Sequence, residues 1–110
     1  MTNRNRTTTT LVGAILEEEV VLTLDEVCHA ARLSSRRVIE LTREGIVEPI
    51  AESAGGKPES WCFRGVDLKR MRCARRLEED LGINTPGIAL ALDLLDELER
   101  LRRRLGRFEP

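Results

Sequence analysis

Residues 23–45 read TLDEVCHAARLSSRRVIELTREG, and this stretch decides the fold. Thr23 can accept a hydrogen bond from the backbone N–H three residues on while Glu26 reaches back to it, the reciprocal cap that opens a helix. Leu24, Val27, Cys28 and Ala31 then fall on one helical face, which predicts a first helix ending near Arg32. Leu33 and Ser34 make a tight turn, and Ser34 or Ser35 caps a second helix carrying Val38, Ile39, Leu41 and Thr42. Gly45 stops it, because glycine takes the left-handed conformation of a helix end without steric cost. Two short helices joined by such a turn form a helix-turn-helix.

Upstream of this motif, Glu19-Val20-Val21-Leu22 is long enough for one strand. Downstream the periodicity changes: Ile46-Val47 is β-branched, Pro49 excludes a helix interior, and Trp61-Cys62-Phe63 reads as a further extended run. With the turn sequence Ser53-Ala54-Gly55-Gly56-Lys57-Pro58 between them, these two runs predict a β-hairpin wing. Leu68, Met71, Ala74, Leu77 and Leu81 recur at helical spacing and predict a third helix from Val66 to Leu81, stopped by Gly82 with Ile83 packing back on the last turn.

The last helix opens with Asn84 or Thr85 as cap and Pro86 in the first turn, and no breaker follows before Gly106. It carries two apolar stripes. Ile88, Leu92 and Leu95 suit closure of the domain core, whereas Ala91, Leu94, Leu98, Leu101 and Leu105 are spaced three, four, three and four, like a coiled-coil seam. A second copy of the chain is the simplest source of a matching leucine row, so a homodimer with the last helices antiparallel is expected. The reading is thus a mainly α, winged helix-turn-helix protein: a tail over residues 1–16, the winged domain over 17–83 and a dimerisation helix over 84–110.

Composition narrows the function. At 110 residues, 41% hydrophobic and 34% charged, the chain is foldable and too small for a large enzyme. Eighteen basic against nineteen acidic residues give a net charge of -1, without the basic excess typical of nucleic-acid binding. Cys28, Cys62 and Cys73 are odd in number and lack C-x-x-C spacing, so a reduced, cytoplasmic protein is expected rather than a disulfide framework. No stretch approaches the roughly 18 apolar residues of a membrane span. His29 is the only histidine, and on a helix it points about 100° away from neighbouring Cys28, so neither a metal site nor a cofactor site is expected. Gly55-Gly56-Lys57 lacks the strand and spacing of a phosphate-binding loop, and Glu78-Glu79-Asp80 reads as a solvated helix face. No catalytic residues emerge, and the chain is expected not to be an enzyme. A thiol or metal sensor built on the cysteines is the remaining minor reading.

The order of parts resembles the MerR-type architecture. Within it, Thr23-Leu-Asp-Glu-Val-Cys28, Gly45-Ile-Val-Glu-Pro49, Trp61-Cys-Phe63, Arg76-Leu77, Pro86-Gly-Ile-Ala-Leu-Ala-Leu92 with Leu94-Leu95-Asp96, and Leu101-Arg-Arg-Arg-Leu105-Gly-Arg-Phe108 look like the chaperone-modulator family CbpM. The likeness spans about residues 20–108, and it departs from the family at Thr85, where tryptophan is frequent. The resemblance implies a cytoplasmic homodimer that binds the J-domain of a DnaJ-like co-chaperone, CbpA, and inhibits its stimulation of the DnaK-type chaperone.

The charges bear on this implication. A DNA-reading helix-turn-helix neutralises phosphates from its second helix and wing. Here the second helix sets Arg36, Arg37 and Arg43 against Glu40 and Glu44, and the wing sets Glu48, Glu52 and Glu59 against Lys57, so the wing would repel a duplex. The alternative, a MerR-like DNA-binding transcriptional regulator, would use Arg36 and Arg37, with Lys69, Arg70 and Arg72 on the backbone. For a basic J-domain helix there are two candidate docking faces: Glu40, Glu44 and Glu48, or Asp93, Asp96 and Glu97 on the outer side of the last helix. Arg100, Arg102, Arg103, Arg104 and Arg107 complement the negative end of the helix dipole and can pair with Glu97 and Glu99.

Overall fold

The computed structural model describes residues 20–106, so the expected tail over 1–16, Glu19 of the expected strand, and Arg107 and Phe108 at the other end lie outside the described residues. Strand β1 (Val21–Thr23) leads into helix α1 (Leu24–Ala31) and then α2 (Ser35–Arg43). The helical turn α3 (Ala51–Ala54) and a 3-10 turn (Pro58–Ser60) precede strand β2 (Cys62–Arg64). Two long helices follow, α4 (Gly65–Leu81) and α5 (Thr85–Gly106). The fold is mainly α with one small antiparallel sheet, as expected.

The helix ends form where local chemistry predicts them. The Glu26 N–H donates to Thr23 Oγ1 at 3.2 Å and the Thr23 N–H to Glu26 Oε1 at 2.9 Å, which completes the reciprocal cap of α1. Ser34 rather than Ser35 caps α2, accepting from the Arg37 N–H at 3.1 Å. Gly45 (φ +77°) and Gly82 (φ +66°) supply the left-handed stops, and after Gly82 the Ile83 N–H reaches back to the Leu77 carbonyl. Asn84 caps α5 by accepting from the Gly87 N–H at 2.9 Å.

The wing differs from expectation. Ile46-Val47 is not a strand, and β2 pairs instead with β1, in the register Val21 with Arg64, Leu22 with Phe63 and Thr23 with Cys62. The reason lies in where the N–H groups between α2 and α3 go. That of Ile46 completes the α2 end on the Leu41 carbonyl, that of Glu48 donates to Asp67 Oδ1, Pro49 has none, and only that of Ile50 reaches β2, on the Cys62 carbonyl at 2.7 Å. Ile46 and Val47 are both buried, whereas successive strand residues face opposite ways.

Phe63, Leu41, Leu68, Met71, Ile88, Val27, Val38 and Val47 form the heart of a single core. Two expected core positions fall outside it. Leu95 is 45% exposed because α5 has by then run beyond the domain body, and Leu81 is exposed because Ile83, folding back past Gly82, packs on the core instead. Among the described residues no helix is long and apolar enough to cross a membrane.

Asp67 is the one buried charged residue among those described, and its carboxylate accepts from the Glu48 and Arg64 N–H groups at 3.2 and 3.4 Å. Burial pushes this carboxyl above the usual range, against the opposing pull of those two bonds. Asp67→Ala strands both donors and should cost about 1–3 kcal/mol. Because the folded pKa is raised, ionisation weighs against the folded state: the wild-type contribution is fullest below the ordinary carboxylate pKa and falls as pH rises through the folded value. Urea titrations should therefore give a larger gap between wild type and variant near pH 3 than near pH 7, roughly the span of that titration.

Candidate partner-docking surface

The surface of the helix-turn-helix is set by what happens to its arginines. Arg37 is drawn inward: Nη1 donates to Glu40 Oε1 and Thr85 Oγ1, and Nη2 to Glu78 Oε1, all at 3.0 Å. Its side chain is 18% exposed, and it ties α2 to the end of α4 and the start of α5. Arg70 donates through Nε to the Ile46 carbonyl at 2.7 Å and through Nη1 to Asp96 at 2.5 Å. Arg72 donates to the Ala30 carbonyl at the end of α1, one of the acceptors a helix terminus leaves without an internal partner. Of the basic residues suited to DNA, three thus hold the fold together, while Arg36, Arg43 and Lys69 are exposed.

The six candidate acids are not one cluster. Glu40 is engaged by Arg37, and Glu97 by Arg100, whose guanidinium holds its carboxyl below the usual range. Asp96 does not sit on the outer side of α5 but turns toward α4 and Arg70. Glu44, Glu48 and Asp93 are exposed and make no ion pair among the described residues. Glu78, read from sequence as part of a solvated face, is instead the partner of Arg37, 41 residues away. No local spacing signals such a contact, and the same holds for Asp67.

Along α5 the two stripes part company. Ile88 and Leu92 are buried, Ala91 is half-buried, and Leu94, Leu98, Leu101 and Leu105 are 42–62% exposed. A row of four exposed leucines on one helix face is an apolar surface that no other described residue covers. The thiols of Cys28, Cys62 and Cys73 are all free and half-buried. Burial, and then the charge of Asp25, push the Cys28 thiol up, which lowers the share of reactive thiolate. Among the described residues no three His, Cys, Asp or Glu gather to hold a metal.

Comparison with known proteins places this geometry. The family described as MerR HTH family regulatory protein matches residues 22–109. A protein of Coxiella burnetii (strain Dugway 5J108-111) named Chaperone modulatory protein CbpM is 42% identical over 97 residues, 88% of each chain. Proteins of the same name from Pseudomonas entomophila and Pseudomonas putida (strain W619) are 38% and 36% identical over 96 residues, 81% of this chain and 91% of theirs.

Both carboxylates facing Arg37 are half-exposed, so solvent screens the pairs and each contributes at most about 1 kcal/mol. Arg37→Ala should therefore lower the unfolding free energy by roughly 1 kcal/mol in dilute buffer. The loss should shrink in about 1 M salt, where screening acts over about 3 Å. Denaturant melts of both proteins at the two salt concentrations measure this.

Proposed function

The chain belongs to the CbpM family of chaperone modulators, within the MerR-type helix-turn-helix proteins, and on that premise we propose that it binds the J-domain of a CbpA-like co-chaperone and so inhibits stimulation of the DnaK-type chaperone. The observation that carries this reading is the disposition of charge on the helix-turn-helix. Arg37, Arg70 and Arg72 are engaged internally, and the acids Glu44 and Glu48, on either side of the Gly45 turn, face solvent without ion pairs among the described residues. J-domains present a basic helix to their chaperone. An acidic surface that covers this helix competes for it, with charge speeding encounter and apolar contacts slowing release. No bond is made or broken, and the chain acts by occupancy.

In the same reading the active species is a cytoplasmic homodimer, with residues 17–83 as the binding module and 84–110 as the dimerisation helix. The exposed row Leu94, Leu98, Leu101 and Leu105 beside Ala91 supports a two-fold contact between α5 helices. A DNA-binding reading keeps one observation in its favour, the exposure of Arg36 and Arg43 on α2.

Size-exclusion chromatography with light scattering, on the chain with and without the J-domain of its own organism's CbpA-like protein, should show a dimer that carries J-domain. Glu44→Lys with Glu48→Lys should weaken capture and leave the circular dichroism spectrum unchanged. A dimer that ignores the J-domain and instead retains duplex DNA, with affinity falling steeply with salt, would move the function to transcription. Leu98→Glu with Leu101→Glu should give a monomer or an unfolded chain, and a variant that remains a stable dimer would remove α5 as the contact.

A further inference from the structure

Helices α4 and α5 diverge beyond their buried contact and leave an open groove of about 310 Å³ between them. The α5 stripe that faces the core does not end at Leu92. It runs on as Leu95, Glu99 and Arg102, and these residues line the groove against α4, with Cys73 and Leu92 in its floor. The leucine row proposed for dimerisation occupies the neighbouring face of α5, and only Leu98 borders both, so occupation of the groove leaves that row accessible.

We propose that residues 11–19 of this same chain, Leu-Val-Gly-Ala-Ile-Leu-Glu-Glu-Glu, dock into this groove, the glutamates at its mouth and the apolar residues on its floor. Position, reach and charge all favour this occupant. Val21 pairs with Arg64, which leads straight into Gly65 and Val66 at the start of α4, so β1 begins beside the Val66 end of the groove. Nine residues can span about 30 Å, and the seven-residue step from Val66 to Cys73 along α4 is only about 10 Å. Within the groove Arg70 answers Asp96 and Arg103 answers Glu99, whereas Lys69 and Arg102 have no ion-pair partner among the described residues. Glu17, Glu18 and Glu19 supply the opposite charge where the chain enters. Beyond them, Leu16, Ile15, Val12 and Leu11 match an apolar floor that ends at Cys73, Leu92 and Leu95.

Cys73 reports on occupancy, since docking would cover its thiol. Site-resolved alkylation with iodoacetamide should modify Cys73 in the full chain about five-fold more slowly than in Ile15→Asp with Leu16→Asp, with Cys28 and Cys62 as internal references. Replacing Glu17, Glu18 and Glu19 by Lys should release Cys73 in the same direction. Circular dichroism and light scattering on each variant check that fold and assembly persist. Equal Cys73 rates in all three proteins would overturn the proposal. So would protection that grows with protein concentration and survives the substitutions, which would make a second copy the occupant, or protection that appears only on adding J-domain. The comparison of the three proteins is made without a J-domain, so its result does not depend on whether the chain binds one.

Discussion

Leu68, Met71 and Ala74 form a buried row along α4, and both strands, α1, α2 and α5 bury side chains in the core that this row anchors. Helix α1 packs on one side of α4 and α5 on another, and β2 runs directly into its first turn. The sheet could not hold itself, because two three-residue strands are too short for independent stability. It persists because Leu22 and Phe63, directly opposite one another, both face this core, and Phe63 meets Trp61 edge to face at 6.4 Å. Burial of apolar area, at about 25 cal/mol per Å², is thus what sets the helix-turn-helix and the wing in fixed relation.

That arrangement determines the electrostatics of the surface. A small helical domain leaves backbone carbonyls at helix ends and in connections to be satisfied, and here the arginines of α4 reach two of them: Arg72 on Ala30 in the last turn of α1 and Arg70 on Ile46 in the connection after α2. With Arg37 clamped between Glu40 and Glu78, the cationic groups that could have gripped phosphates instead brace the helices against one another. Internal pairing of these cations, as much as the acids beside them, thus sets the charge that the helix-turn-helix presents to solvent.

Helix α5 serves several surfaces because it is longer than the body it closes. Its first turns bury Ile88 and Leu92, and beyond them it projects with one leucine row facing outward and a second flank facing α4 across the groove. The arginines at its end pair within the helix, Arg100 with Glu97 and Arg103 with Glu99, which supports it where none of the described residues packs on it.

What the sequence determined by itself is whatever neighbouring residues decide among themselves. The cap of Thr23 with Glu26, the stops at Gly45 and Gly82, the Asn84 cap and the apolar periodicity of α1, α2, α4 and α5 all act within about four residues, the reach of a helical turn. Tertiary structure alone decided which strand β2 would meet, since Ile46-Val47 and Val21-Leu22 are both β-branched or aliphatic and only the fate of the intervening N–H groups separates them. It also decided that Arg37 would face Glu78, that Asp67 would be buried under the Glu48 N–H, and that Leu95 would lie beyond the core. Each of these depends on groups brought together across tens of residues or on where the body ends, and a linear pattern holds neither distance.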